Sequence, residues 1–132
     1  MISFKLFSEN RESDSNISNK GLVFKDGELL LVKNLGNEYE LPGGHQKIGE
    51  LVIQGLKREI KEELGTDVIS YKLRKLTPTR NFFDVDVDLN KIKLSDEHTD
   101  YIMCPINDYF KLNLSKKCKN DLKMLFFDKN SK

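Results

Sequence analysis

The 132-residue sequence has no tryptophan, only two cysteines, no long apolar run and no excess of either charge. Each absence removes a class of explanation. Cys104 and Cys118 stand apart with no CxxC pair, which excludes a cysteine-ligated zinc site and fits free thiols in a reducing cytoplasm. No apolar stretch approaches the roughly 20 residues that span a bilayer, so a membrane partner is not expected. Lys and Arg total 22 against 21 Asp and Glu, a net charge of +1. A nucleic-acid or anionic-membrane binder would show a large basic excess. The opening MISFKLFSEN carries one lysine and then turns polar, unlike a secretory signal. The expectation is one soluble cytoplasmic domain over residues 1–132, large enough to bury a core without disulfide or metal staples.

Along the chain, ISFKLF alternates as a short strand would, and residues 8–20 are almost wholly polar, predicting a loop or mobile segment. In GLVFKDGELLLVKN two apolar runs flank Asp26-Gly27, the pair that a tight hairpin turn needs. The continuous run Leu29 to Val32 predicts a strand covered on both faces. From Glu50 to Leu64 the period changes, with Ile53, Leu56, Ile60 and Leu64 on one helical stripe and Gly65 as the stop. VISYKLRKL, NFFDVDVDL, KIKL and DYIMCPI read as further strands. Asp84, Asp86 and Asp88 alternate with apolar residues, the wet face of a strand rather than a calcium site. Ser115 to Phe127 predicts a second amphipathic helix with Ser115 as N-cap and Cys118, Leu122, Leu125 and Phe126 on its apolar side. The order of elements predicts an α/β class: an α/β/α sandwich with a mixed β-sheet between two helices.

Chemistry concentrates on the first helix. Opposite its apolar stripe lie Arg58, Glu59, Glu62 and Glu63, with the glutamates at i, i+3 and i+4 and therefore on one patch. Such clusters are usually solvated faces. Here, however, like charges at i,i+4 destabilise the helix, and no basic residue on the helix neutralises Glu63. The helix also follows a glycine-rich turn, LPGGHQKIG, whose carbonyls are further hard oxygen donors. Carboxylates with a carbonyl describe a magnesium or manganese site.

Gly44 to Thr66 resembles the Nudix box, G-x5-E-x7-R-E-U-x-E-E-x-G-U with U a bulky aliphatic residue. It reads Gly44, Glu50, Arg58, Glu59, Ile60, Glu62, Glu63, Gly65 and Thr66, and departs only at Thr66, where an aliphatic residue is usual. The preceding LLLV and ELPGG, and the later LSDEHTDYIMCPINDY, resemble the same family's flanking segments. The resemblance implies a Nudix fold. It implies Glu59, Glu62 and Glu63 as carboxylate ligands of Mg²⁺ or Mn²⁺, with the Gly43 carbonyl as a further donor. Arg58 would orient a catalytic glutamate, Glu50 would belong to the same network, and Gly43 and Gly44 would permit the tight loop. The general base is expected to be Glu59 or Glu97, with Asp96 behind them. Gly55 within the helix is assigned a close approach by another element and no chemistry. His98 is read as a structural hydrogen-bonding position in preference to a ligand or acid, and His45 as either a plain loop position or a contact to a substrate phosphate.

The implied function is Mg²⁺-dependent hydrolysis of the diphosphate linkage in a nucleoside diphosphate derivative or nucleoside triphosphate. The partner would be a small nucleotide and not nucleic acid, and the chain a monomer or homodimer. The alternative is a non-catalytic domain of the same family that senses a nucleotide or sugar-nucleotide. The downstream proline associated with ADP-ribose hydrolases is missing near Asn81 and Phe82, as are the signatures of NADH pyrophosphatases and coenzyme A hydrolases. A small MutT-like nucleoside triphosphate pyrophosphatase is the default. Without tryptophan, base stacking would fall to Phe82, Phe83, Tyr39 or Tyr101.

Overall fold

The computed structural model describes residues 16–127. The hairpin forms at Asp26-Gly27: β2 (Phe24–Lys25) pairs antiparallel with β3 (Glu28–Asn34), and the two turn residues take φ 53° and 79°. Positive φ at both positions is what a two-residue turn between twisted strands requires. The remaining strands are β1 (Ser18–Leu22), β4 (Tyr39–Glu40), β5 (Gly43–His45), β6 (Ser70–Leu76), β7 (Arg80–Asp86) and β8 (His98–Pro105). Helix α1 (Val52–Leu64) lies between β5 and β6. Helix α2 (Lys116–Leu122) follows β8 and continues into a π-helical turn over Lys123–Phe127. Ser115 caps α2, its side chain accepting from the Cys118 amide at 3.2 Å.

Two sheets are formed among the described residues. The first, β5-β1-β7-β6, is mixed because β1 runs parallel to β7 while its other pairs are antiparallel. The second joins β2, β3 and β4, with β8 antiparallel to the other side of β3. Alternation along the strands sorts neighbouring residues into two cores. Leu30 and Val32 of β3 and Phe83 and Val85 of β7 pack with Val52, Leu56 and Ile60 of α1. Their neighbours Leu29, Leu31 and Phe82 pack on the opposite side with Cys118, Leu122 and Leu125. A period of two feeding two cores is why LLLV and NFF are unbroken apolar runs, and it places strands between the two helical segments as expected. Asp84 pairs with Arg74 of β6 at 2.8 Å, so this aspartate belongs to a solvated face.

Several local expectations change. ISFKLF lies outside the described residues. The polar segment predicted over 8–20 ends differently, since Ser18, Asn19 and Lys20 begin β1 and are buried. Polar letters suggested a loop, but their polar groups find partners inside the fold. KIKL is not a strand. Leu89–Lys91 is a 3-10 turn capped by the Asp88 side chain, and the Lys93 amide donates to the Leu64 carbonyl at 2.7 Å. That segment satisfies the end of α1 instead of a neighbouring strand. The single sheet expected is divided in two, with β1 beside β7 in one and β3 beside β8 in the other.

Candidate active site

Helix α1 buries Val52, Ile53, Leu56, Ile60 and Leu64, and stops where Gly65 takes φ 69° and donates its amide to the Lys61 carbonyl. Its other edge brings Arg58, Glu59, Glu62 and Glu63 against the β5 loop. Arg58 is the hub. It donates to Glu50 through Nε at 2.6 Å and Nη2 at 3.0 Å, to Glu59 at 2.8 Å, to Glu62 at 3.2 Å and to the His45 carbonyl at 3.1 Å. These charge-assisted bonds raise the guanidinium pKa and hold the Glu50 carboxyl below its usual range, chiefly through the Arg58 hydrogen bond.

The double glycine is required sterically. Gly43 has φ 128°, and a Cβ there would stand 2.9 Å from the Lys20 Cα. A Cβ on Gly44 would stand 2.6 Å from the Glu59 carboxylate oxygen. The loop therefore lies directly on the carboxylates. Gly43 also donates its amide to Glu63 Oε1 at 3.2 Å. Glu63 is only 5% exposed, and burial pushes its carboxyl up to about 8. The Gly43 amide and Lys20 oppose that rise, while Glu59 and Glu40 add to it.

Lys20 was not anticipated as a site residue. It lies on β1 opposite Gly43, is 8% exposed, and donates to the Gly43 carbonyl at 3.3 Å and the Leu41 carbonyl at 3.5 Å. Burial lowers its pKa and Glu63 opposes that shift. The Gly43 carbonyl, expected as a cation donor, thus already accepts from an ammonium. His98 is also nearer than expected, with Nε2 4.0 Å from Glu63 Oε1, and burial lowers its pKa toward the neutral ring. Beneath the loop, Gln46 accepts from Asn19 and donates to the carbonyls of Glu50 and Leu51 at 2.8 and 2.7 Å. Asn81 donates to Asn19 at 3.0 Å. Gly55 faces this network, since a Cβ there would collide with Gln46 and stand 3.1 Å from the Asn19 amide nitrogen. The close approach expected at Gly55 is made by Gln46 and Asn19. Thr66, the departure from the box, is buried.

The carboxylates meet an acidic residue pair from a later loop. Glu59, Glu62, Glu63, Asp96 and Glu97 line one pocket of 340 Å³, and Glu59, Glu63 and Glu97 also line a larger cleft of 590 Å³. Lys20, His45, His98, Arg80, Lys116 and Lys117 lie on the cleft wall as well. Arg80 is held by Asp121 in a two-pronged pair that neutralises it. Cys118 reaches the cleft too, but burial pushes its thiol up to about 12, so it is inert at neutral pH. Cys104 and Cys118 are both free.

The aromatic candidates do not reach this cleft. Phe82 and Phe83 are 0% exposed, one in each core, because β7 is covered on both faces. They cannot stack on a base. Tyr39 packs under the α2 core with the Lys33 ammonium 5.8 Å from its ring, and Tyr101 is exposed on β8. Residue type carries no information about strand face, so aromatic identity alone does not mark a stacking platform.

The donor set suits a hard divalent cation: carboxylate oxygens gathered on one pocket, one of them on a carboxyl whose pKa is raised by burial. As they stand, no three acidic or histidine groups among the described residues are drawn close enough to hold an ion. Glu59 and Glu62 are instead turned onto Arg58.

Residues 20–125 match the family model described as NUDIX domain. Over 49 residues the chain is 43% identical to an ADP-ribose pyrophosphatase of Methanocaldococcus jannaschii, a match spanning 34% of this chain and 29% of that protein. Among solved structures, a MutT protein from Methanosarcina mazei superposes with a TM-score of 0.67 at 26% identity, covering 88% of this chain and 95% of the other. A Nudix hydrolase family member from Chromobacterium violaceum gives 0.68 at 22% identity, covering 89% and 83%. Because the model match runs from β1 into the C-terminal helical segment, the chain belongs to the Nudix family.

Proposed function

We propose that this protein is a divalent-metal-dependent hydrolase that cleaves the diphosphate linkage of a nucleoside triphosphate or nucleoside diphosphate derivative. The observation that carries the reading is the meeting of Glu59, Glu62 and Glu63 of α1 with Asp96 and Glu97 of a distant loop on one pocket. Nudix hydrolases generally use divalent metals, and Glu59, Glu62 and Glu63 would hold Mg²⁺ or Mn²⁺ here. When bound, such a cation supplies neutralisation of diphosphate charge and a more acidic water.

The chain's own residues do the rest. Arg58, fixed by Glu50, holds one oxygen of Glu59 while the other lies against the Gly44 loop. Glu97 makes no side-chain hydrogen bond or ion pair among the described residues and lines both pockets. It is the better placed of the two candidate bases to accept a proton from attacking water. Glu59, committed to Arg58, serves better as a ligand. Attack at phosphorus then forms one P–O bond and breaks the bridging P–O bond in line.

The test is phosphate and pyrophosphate release from nucleoside triphosphates, ADP-ribose and nucleoside diphosphate sugars with Mg²⁺, Mn²⁺ or EDTA. Metal-dependent turnover of at least one substrate is expected. Binding without turnover of any would leave a nucleotide sensor instead.

A further inference from the structure

The large cleft carries Glu59, Glu63 and Glu97 where α1 meets the β8 loop and Glu40 on β4, and beside these carboxylates it also carries lysines that the metal chemistry does not use. Lys116 and Lys117 line it from the start of the C-terminal helical segment, both exposed, and neither forms an ion pair among the described residues. Lys20 lines it from β1, with no carboxylate within 4.0 Å among the described residues and only two carbonyls as hydrogen-bond partners. A lysine held in a protein interior without a contacting carboxylate is costly unless something anionic approaches it. Three ammonium groups from two separate elements therefore face one cleft that also holds the carboxylates. The same wall carries no phenylalanine or tyrosine among the described residues, so it offers no ring for a base to stack on.

We infer that the cleft selects its substrate by phosphate charge, with Lys20, Lys116 and Lys117 forming a subsite for a phosphate group beyond those at the carboxylate pocket, and with little discrimination of the base. The ligand class is an organic polyphosphate carrying three or more phosphate groups, or a diphosphate whose distal moiety is itself phosphorylated. This inference rests on the hydrolase reading for its biology, but its binding claim does not require turnover. Ammonium groups act on phosphate as point charges, so the subsite should be salt-sensitive and tolerant of what the phosphate is attached to.

The experiment measures binding of inorganic tripolyphosphate to the metal-free protein by calorimetry. Wild type is compared with the K116Q/K117Q variant and with K25Q/K72Q, which removes the same charge at exposed positions outside the cleft. The affinity of K116Q/K117Q should fall about tenfold, the scale expected for two exposed charge contacts, and that of K25Q/K72Q should not change. Equal affinity in wild type and K116Q/K117Q overturns the subsite, as does equal loss in both variants, which would mark a general charge effect. A second arm compares kcat/KM for ATP, GTP, CTP and UTP. Values within about threefold support selection by phosphate, whereas a preference above roughly 100-fold for one base overturns it. If no nucleotide turns over but tripolyphosphate binds in a Lys116- and Lys117-dependent manner, the hydrolase reading fails and the subsite stands.

Discussion

Arg58 grips Glu50 with two nitrogens, at 2.6 and 3.0 Å, and reaches Glu59 with a third at 2.8 Å. One guanidinium thus ties the loop before α1 to a carboxylate of the candidate site. A lysine is a point charge and cannot satisfy all three contacts in fixed directions. Arg58→Lys should lose activity by one to two orders of magnitude, through disorder of Glu59, while costing only about 1–2 kcal/mol of stability. Steady-state kinetics and urea unfolding measure the two effects separately. A large stability loss with proportionate activity loss would make the contact structural alone.

Glu63 gives a pH dependence of defined sign. Burial raises its folded-state carboxyl from 4.5 to about 8, so the folded state binds this proton more tightly than the unfolded chain. Its contribution to stability is most favourable below about 4.5 and declines as pH rises from 4.5 to 8. His98, lowered by burial, acts oppositely near its own titration, since the folded state prefers the neutral ring. The difference between wild type and Glu63→Gln removes the titrations that do not touch Glu63, and the same comparison in a His98→Gln background removes that of His98, which lies 4.0 Å away. In metal-free protein, Glu63→Gln should gain stability relative to wild type as pH rises through this window, and a constant difference would refute the assignment. With Mg²⁺ the same variant, like Glu59→Gln, should lose most turnover.

Glu97 should matter for rate more than for binding. Its free carboxylate faces the pocket from a loop, so Glu97→Gln is expected to lower kcat by about 10²- to 10⁴-fold with little change in KM. Asp96→Asn, on the same pocket, is the comparison. Loss in Asp96→Asn alone would move the role by one residue, and full rate in both would return it to Glu59.

Gly55 tests the packing account. In a helix interior, Gly→Ala ordinarily stabilises by up to about 1 kcal/mol. Here the added methyl would strike Gln46, which is 2% exposed and held by bonds to Asn19, Glu50 and Leu51. Gly55→Ala should therefore destabilise by about 1–3 kcal/mol, the cost of overpacking. A stabilised variant in thermal or urea unfolding would show that Gln46 moves aside freely.

What the sequence by itself determined is local. The Asp26-Gly27 hairpin, the α1 stripe, the Gly65 stop and the spacing that gathers Glu59, Glu62 and Glu63 all depend on residues within one turn or a few helical turns of each other. Backbone dihedrals and the 3.6-residue period decide such features without reference to the remaining chain. Tertiary structure decided everything that needs register between distant segments. The antiparallel β1–β5 and parallel β1–β7 pairings set Lys20 opposite Gly43 and Phe82, and bring Asn81 to Asn19 across 62 residues. Polar letters at Ser18, Asn19 and Lys20 look like a loop until those partners are present. Phe82 and Phe83 look like stacking platforms until β7 is covered on both sides. Lys116 and Lys117 look like ordinary solvated lysines until the segment after β8 is laid along β4, where Ser115 donates to the Tyr39 carbonyl at 3.0 Å. A one-residue shift in any of these registers would turn each side chain to the other face, and no local pattern specifies which register wins.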